Sequence, residues 1–450
     1  MKLVYDVHER PPFAKNLLYA FQQLLAVIAA TVLVPTLVNS MSGKELLNHG
    51  AAMIGAGMGT LVYLLFTRFK SPVFLGSSFA FINPLVGAAA FGYWGILLGA
   101  LIAGLVYVVI ALLIRFVGTG WLDKLMPPVI IGPVVALIGL SLSSSAVGNL
   151  GSSLSGTANG NLLAQFIGIL TFLVTIIISV KGGKNLRMIP FVVGVLSGYA
   201  LSAVITLVGY NALHVEACRL IDFSPFSKVA DLSNWIPNFT LAHAWDFDMA
   251  DFATVFVAFA PVAFVVFAEH VADHKNISSI VNRDLLKDPG LDKTLLGDGV
   301  GSIVGALFGG CPNTTYGESI GCVAITGNAS VTTTMTSALM CIVFAFFYPA
   351  LAFIETIPTC VIGGICIALY GFIAVSGLRM FKDVDLDDSK NLFVVAAILV
   401  TGIGNLTVSF GKITITNIAC ALILGIIVNL VLNGGKKTPA KETAEEQDAE

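Results

Sequence analysis

The sequence predicts an all-α polytopic membrane protein. We expect fourteen transmembrane segments in two inverted seven-segment repeats, with a short β-strand in segments three and ten. Three observations predict this fold: the scarcity of charged residues, two long uncharged stretches, and an uneven distribution of positive charge between loops. Hydrophobic residues make up 56% of the chain and charged residues only 11%, whereas soluble domains carry about 25% charged residues. A surface that faces lipid explains this deficit, because lipid cannot solvate charges.

The uncharged stretches are long enough to cross a bilayer repeatedly. No Asp, Glu, Lys or Arg occurs between Lys70 and Arg115, or between Lys124 and Lys181. One crossing needs roughly 20 apolar residues, so each stretch holds two crossings. A transmembrane β-barrel would instead show short segments of alternating hydrophobicity, and that pattern is absent from the sequence.

Fourteen apolar segments can be delimited along the chain. They span residues 17–38, 48–67, 74–91, 93–114, 127–146, 161–180, 188–209, 249–272, 295–310, 312–326, 330–350, 359–376, 391–409 and 413–433. The third and tenth are short and interrupted by proline or polar residues. Without these two segments, the protein would have twelve crossings.

Positive charges favour fourteen crossings. With the N-terminus inside, 20 Lys and Arg residues fall on the inner side and 4 on the outer side, as the positive-inside rule requires. If segments three and ten did not cross, the residues from Arg115 to Lys293 would move outside and the asymmetry would collapse. We therefore expect a multi-pass protein of the cell inner (plasma) membrane with both termini in the cytoplasm.

Fourteen segments divide into two halves of seven, which places the second half upside down relative to the first. Such inverted repeats are typical of secondary transporters. The predicted repeats are residues 17–209 and 249–433, and an extracytoplasmic loop, 210–248, joins them. Residues 1–16 form a cytoplasmic N-terminus, and residues 434–450, which are charged and poor in apolar residues, predict a disordered cytoplasmic tail.

The two interrupted segments occupy equivalent positions in the two repeats, which favours a binding site at the membrane midplane. They run from Gly76 to Pro84 and from Cys311 to Gly321 and are rich in Ser, Thr, Asn and Gly, which favour turns and caps over helix interiors. A short strand followed by a half-helix could span with few residues, because strands rise further per residue. Two such strands could pair and direct free N–H groups at a ligand. The alternative is that both are merely kinked packing segments.

Several ionisable residues fall inside or beside apolar segments eight to ten. Glu269, Asp298 and Glu318 are candidates for function, because a charge at the bilayer centre costs several kcal/mol. Asp273 and His274 follow Glu269 and either relay protons or are solvated at the inner mouth. Asp298 is either a helix cap near the inner surface or part of the pathway. Glu318 lies within the interrupted tenth segment and is the strongest candidate for a functional role.

These carboxyl groups suggest coupling to protons, since carboxylates removed from water can exchange protons near neutral pH. Sodium coupling stays open. ATP coupling is not expected, because the sequence has no Gly-rich phosphate-binding motif. The seven cysteines show no metal-ligand spacing, and the sequence has no His-rich or metal-ligand set, so we expect no metal, no cofactor and no enzyme activity. A net charge of −3 gives no indication of a nucleic-acid partner.

Nine short motifs are spread along the chain. They are Glu9–Pro12, Ala30–Pro35, Leu75–Phe81, Gly118–Asp123, Ala268–Val271, Pro312–Glu318, the pair Gly321 and Thr326, Tyr370–Gly371 and Ser376–Gly377. With these motifs the chain resembles the nucleobase–ascorbate transporter (nucleobase:cation symporter-2) family, and within it the bacterial uracil permeases. The run Thr-Thr-Tyr-Gly-Glu followed by Gly-x4-Thr is highly specific. The others are weak alone and strong together, and the resemblance extends over nearly the whole chain.

The resemblance implies uracil transport by proton symport, a homodimer in the lipid bilayer, and two domains. The core domain would be residues 17–118 with 249–350, and the gate domain 125–209 with 351–433. The resemblance also implies substrate-binding residues. These are Glu269, Glu318, Phe79, Gly317, Tyr316, Ala30, Ser78 and Tyr370. Proton coupling would involve Glu318, Glu269, Asp273, Asp298 and His274.

Particular roles follow from the same resemblance. Glu269 would accept hydrogen bonds from the pyrimidine N–H groups, and Glu318 would link protonation to binding. Backbone amides of Phe79 and Gly317 would donate to the uracil carbonyls. The apolar and aromatic walls would be formed by Ala30, Phe79, Tyr316 and Tyr370.

The chain also departs from the family pattern. Asp273 stands where some uracil permeases have His, and Gln22-Gln23 replaces a Gln-His pair. Ser319 stands where Asn is frequent. Xanthine and urate members tend to have Gln at the position of Glu318, which favours uracil over purines. A purine permease of the same family is the nearest alternative, followed by an anion exchanger or channel of related architecture.

Overall fold

A computed structural model of the chain describes residues 3–183, 186–239, 243, 251–410 and 413–433. The predicted tail, 434–450, and part of the predicted loop 210–248 lie outside the described residues. In the N-terminal half the elements follow the predicted order. They are α1 (Phe13–Ser42), α2 (His49–Phe66), β1 (Leu75–Ser77), α3 (Ile82–Ala88), α4 (Gly92–Val117), α5 (Gly120–Leu125), α6 (Pro128–Ser141), α7 (Ser143–Leu150), α8 (Ala158–Lys181) and α9 (Pro190–Ile205).

The C-terminal half adds eight helices and three strands. They are α10 (Phe252–Val281), α11 (Leu291–Leu307), β2 (Asn313–Thr315), α12 (Gly317–Thr326), α13 (Val331–Phe344), α14 (Tyr348–Glu355), α15 (Thr359–Met380), α16 (Ser389–Ile403), β3 (Val408–Phe410), β4 (Ile413–Ile415) and α17 (Asn417–Asn433). Short 3₁₀ segments connect several of them, including Phe79–Phe81 between β1 and α3.

The helices have the length and composition of membrane spans. Within the described part of the chain, eight are long and apolar enough to cross a bilayer, and the bent pair α13–α14 would make a ninth. The helices α16 and α17 are apolar but shorter. The chain is therefore a mostly helical membrane protein, and the number of fourteen crossings stays a prediction.

The two predicted strands are present and pair with each other. Strands β1 and β2 run antiparallel, with Leu75 opposite Thr315 and Ser77 opposite Asn313. Hydroxyls from neighbouring helices bond the backbone at one residue of each strand. On one side Thr60 of α2 accepts from the N–H of Leu75 at 3.0 Å and donates to its carbonyl at 3.2 Å. Such bonds help a short strand to lie inside the protein, where backbone groups need partners.

The second strand is held in the same way from the opposite side. Ser302 of α11 accepts from the N–H of Asn313 at 3.0 Å and donates to its carbonyl at 2.9 Å. The helices α2 and α11, which supply the two hydroxyls, pack against each other through glycines. A Cβ atom on Gly55 would lie 2.8 Å from the carbonyl oxygen of Gly305. The absence of side chains there lets the two backbones approach closely.

The helix contacts fall into two sets. In the first set α4 and α2 pack on α11, α10 packs on α4, and α13 packs on α1 and α2. In the second set α15 packs on α6, α7 and α8, while α16 and α17 pack on α6 and on each other. The paired strands and the half-helices α3 and α12 lie with the first set.

Some boundaries differ from the predicted ones. The predicted segment 330–350 is two helices, α13 and α14, which meet at a bend of 79°, with Pro349 as the second residue of α14. The predicted segment 249–272 continues as α10 to Val281. The predicted last segment, 413–433, begins with strand β4 (Ile413–Ile415), which pairs with β3, and its helix starts at Asn417.

Candidate functional site

A cavity of about 910 Å³ lies between the two sets of helices. Its walls come from α1, α10, α12 and the strand β2 on one side, and from α6, α8, α9 and α15 on the other. Such a position, between separately packed groups of helices, allows a ligand to contact both groups at once. The cavity is large enough for a small-molecule ligand.

Helix α10 presents different chemistry on two neighbouring faces. Glu269 and Asp273, four residues apart, both line the cavity and are half-buried. His270 and His274, displaced by one residue, are fully buried behind it. Since residues four apart share one face of a helix, a single helix separates a carboxylate face from an imidazole face.

The strand-to-helix junctions contribute the next part of the cavity wall. Phe79 follows β1 and Gly317 follows β2, and both line the cavity. The first N–H groups of an α-helix have no acceptor within the helix, so the start of α12 offers hydrogen-bond donors and a positive dipole end. Glu318 lies in the first turn of α12 and also lines the cavity.

Two aromatic residues shape the wall around these junctions. Tyr316 lines the cavity, and its hydroxyl donates to the carbonyl of Ser77 at 2.9 Å, which ties the end of β2 to β1. The ring of Phe79 meets that of Tyr370 edge-on, with centroids 6.1 Å apart. Tyr370 is buried behind Phe79 and is not part of the cavity wall.

Several residues expected at the site do not reach the cavity. Ala30 and Ser78 are buried and lie outside its lining. His274 is fully buried and is therefore not solvated at an inner mouth. Asp298 lies within α11, not at its start, so it is not a helix cap; it is fully buried beside His270.

Four polar residues of this region were not predicted from the sequence to have a role. Thr315 donates from its hydroxyl to a carboxylate oxygen of Asp273 at 2.6 Å. Arg187, just before α9, and Arg379 of α15 also line the cavity. In the sequence these two residues counted only as positive charges of the inner side. His270 follows Glu269 directly. Its position as an ionisable residue inside an apolar segment could have marked it as a candidate functional residue.

The chemistry of the cavity follows from these side chains. Three carboxyl groups, a helix N-terminus and aromatic rings can together recognise a planar, polar ligand that has both donors and acceptors. Among the described residues, no group of three or more His, Cys, Asp or Glu side chains could hold a metal ion. The arrangement is that of a binding site for a small polar molecule.

Comparisons with known proteins extend over nearly the whole chain. Residues 14–410 match the model of the Permease family. A uracil permease of Bacillus caldolyticus is 38% identical over 439 residues, which cover 96% of this chain and 95% of that protein. A uracil permease of Bacillus subtilis (strain 168) is 37% identical, with 95% and 94% covered.

One solved structure supports the fold independently of close sequence identity. The transmembrane domain of the cyanobacterium bicarbonate transporter BicA superimposes with a TM-score of 0.57 at 16% identity, covering 96% of this chain and 100% of that domain. At this identity the likeness concerns the fold, which is that of a membrane transporter.

Proposed function

Because the chain belongs to the Permease family (nucleobase:cation symporter-2), whose members are transporters, we propose that it imports uracil together with protons across the inner membrane. The observation that carries this proposal is the cavity shared by Glu269, Glu318, Phe79 and the start of α12. The names of the relatives, two of them uracil permeases at 37% and 38% identity, support uracil as the substrate.

The proposed binding mode pairs each polar edge group of uracil with a matching group of the cavity. Glu269 accepts hydrogen bonds from the pyrimidine N–H groups, and the backbone N–H groups of Phe79 and Gly317 donate to the carbonyl oxygens. The rings of Phe79 and Tyr316 cover the apolar faces of the base. Charge-assisted hydrogen bonds of this kind are about twice as strong as neutral ones, which suits a carboxylate as the anchor.

Proton coupling is assigned to carboxyl groups that line the cavity. Glu318 is the principal candidate, with Glu269 and Asp273 beside it, because all three can contact both substrate and water in the same space. Asp298 and His274 do not line the cavity, and the proposal gives them no transported proton. One charge moving through 100 mV contributes about 2.3 kcal/mol. This free energy can accumulate the substrate by a factor between about 10 and 100.

The proposed architecture is two inverted repeats of seven segments, 17–209 and 249–433. Matched hydrogen bonds support it: Thr60 of segment two bonds the backbone of β1, and Ser302 of segment nine bonds that of β2. The first set of helices would be the core domain, 17–118 with 249–350. The second set would be the gate domain, 125–209 with 351–433.

Orientation and conformation follow from the positive charges. Arg187 and Arg379 belong to the loops and helix ends that the charge asymmetry assigns to the cytoplasm, and both line the cavity. The cavity is therefore proposed to open toward the cytoplasm, where both termini lie. A homodimer as the working unit is proposed from the family resemblance alone.

Uptake of labelled uracil into proteoliposomes, with and without an inward proton gradient, tests the proposed function. Gradient-driven accumulation that excess uracil blocks and excess xanthine does not is the expected result. Accumulation blocked by xanthine would make the protein a purine permease. Equilibration without accumulation would indicate a channel, and no uptake of uracil by folded protein would move the substrate to another class.

A further inference from the structure

A buried contact between a histidine and an aspartate lies directly behind the carboxylate face of α10. Nδ1 of His270 is 2.8 Å from Oδ2 of Asp298 on α11, and both side chains are fully buried. His270 is the residue next to Glu269, so the contact fixes the rotation of α10 at the point where Glu269 enters the cavity.

The protonation of the pair depends on the hydrogen bonds around His270. The hydroxyl of Thr294 lies 3.1 Å from both the carbonyl of Leu291 and Nε2 of His270. In the assignment that keeps the buried pair neutral, the hydroxyl donates to the carbonyl and accepts from Nε2–H. Nε2 therefore carries a hydrogen. If Asp298 were ionised and Nδ1 bare, two lone pairs would face each other across 2.8 Å. One proton must lie between Nδ1 and Oδ2.

This shared proton makes the pair electrically neutral, whichever atom holds it. The other carboxyl oxygen of Asp298, Oδ1, has no hydrogen-bond partner among the residues that the structure describes. An uncompensated charge there would be costly, because buried charges need donors for their remaining lone pairs. The titratable groups around the pair are Tyr63 of α2, Tyr107 of α4, and Glu269, Asp273 and His274 of α10. Tyr63, Tyr107, Glu269 and Asp273 cannot carry a positive charge, and His274 is neutral when its Nε2 accepts from the hydroxyl of Tyr63.

His274 extends the same buried contact to a third helix. Its ring stacks on that of His270 with centroids 4.1 Å apart, and its Nδ1 donates to the carbonyl of His270 at 2.8 Å. Its Nε2 lies 2.6 Å from the hydroxyl of Tyr63 on α2. Two buried imidazoles thus join α10 to α11 and α2 on the side that faces away from the cavity.

We propose that His270 and Asp298 are positioning residues that hold Glu269 at the cavity through one permanently shared proton, and that neither carries a transported proton. The inference rests on the proposed function in that Glu269 binds the substrate. It departs from the sequence expectation, in which Asp298 took part in proton coupling.

Two substitutions of Asp298 separate positioning from coupling. In Asp298→Asn the amide can donate to Nδ1 of His270, so a neutral contact of the same size remains. We expect the KM for uracil to stay within about threefold, which is less than 1 kcal/mol, and the pH profile of gradient-driven uptake to match that of the wild type. In Asp298→Ala the buried Nδ1 loses its partner, and uptake should fall at least tenfold through weaker uracil binding.

A second measurement is independent of uracil. Above about pH 5 the carboxyl group of Asp298 is ionised in the unfolded chain, whereas the native pair keeps the shared proton. Unfolding of the wild type therefore releases one proton more than unfolding of Asp298→Asn. The stability of the wild type relative to Asp298→Asn should therefore fall as pH rises from 5 to 8. The relative unfolding constant should change about tenfold per pH unit, measured as the difference between the melting temperatures of the purified proteins.

The outcomes distinguish this inference from the proposed function. No uracil uptake by the wild type would overturn the proposed function, and the melting measurement would still test the shared proton. A pH-independent melting difference would overturn the shared proton. A flattened pH profile in Asp298→Asn that still binds uracil would overturn the positioning role, as would full activity of Asp298→Ala. If Asp298→Ala does not fold, the pH profile and the melting temperatures of Asp298→Asn are sufficient to test the inference.

Discussion

The hydroxyl of Thr315 donates a hydrogen bond to a carboxylate oxygen of Asp273 at 2.6 Å. This bond joins β2 to α10 at the cavity wall. It holds a carboxyl group for which the sequence allowed either a proton-relay role or a solvated position. Asp273 is held by the strand and lines the cavity. Its orientation therefore depends on a residue 42 positions away in sequence.

Removal of that hydroxyl gives the first prediction. Thr315→Val keeps the shape of the side chain but leaves Asp273 without its donor. A hydrogen bond to a charged group contributes about 1.5–3 kcal/mol, so proton-driven uptake should fall by about tenfold or more. Thr315→Ser keeps the hydroxyl and is the matched control, expected within about threefold of the wild type. Equal uptake by the Val variant and the wild type would mean that the bond does not orient Asp273 for transport.

The second prediction concerns the proposed anchor of the substrate. Glu269→Gln should abolish uracil binding, because an amide cannot accept two N–H groups as a carboxylate does. The measurement is equilibrium binding of labelled uracil to purified protein, so that transport steps do not enter. Glu45→Gln changes an exposed glutamate and should leave binding unchanged. Unaltered binding in Glu269→Gln would refute the proposed site.

The third prediction separates binding from coupling. Glu318→Gln removes an exchangeable proton in the first turn of α12 but leaves the helix N-terminus and Glu269 in place. We expect the variant to bind uracil and to lose the dependence of uptake on the proton gradient. Uptake should be measured at several external pH values with the membrane potential clamped. A wild-type pH profile in this variant would argue against Glu318 as the coupling residue.

The outline of the fold could be predicted because it depends on local composition. Runs of apolar residues predicted the membrane helices, and the interruptions of segments three and ten predicted the two short strands that do pair, Leu75–Ser77 and Asn313–Thr315. The bend between α13 and α14 has a partial sequence signal in Pro349, because proline is tolerated in the first turn of a helix but not in its interior. The hairpin of β3 and β4 was missed, although Val408, Ile413 and Ile415 are residues that favour strands.

The surroundings of individual side chains were harder to predict, because they depend on how helices are rotated against one another. Spacing along α10 places His270 and His274 on one face, but it does not say which helix covers that face. Asp298 was therefore ambiguous between a cap and a pathway residue, and its contact with His270 at 2.8 Å was not foreseen. The contact between Thr315 and Asp273 was unforeseen for the same reason.

The fourth prediction concerns the close approach of β1 to Tyr316. A Cβ atom on Gly76 would overlap the ring of Tyr316, so the ring can lie against β1 only where the strand has no side chain. Gly76→Ala should displace Tyr316 and weaken the bond from its hydroxyl to the carbonyl of Ser77, which is 2.9 Å long in the wild type. Overpacking of this kind typically costs about 1–3 kcal/mol.

Since Tyr316 lines the cavity and precedes Gly317, this displacement should reduce both stability and substrate affinity. Melting temperature and equilibrium uracil binding of the purified variant measure the two effects. Gly87→Ala on α3 is the matched control, because a Cβ atom there meets nothing within 4 Å, and both of its measurements should equal those of the wild type. Wild-type binding together with a lowered melting temperature in Gly76→Ala would mean that Tyr316 supports the strands without forming part of the substrate site.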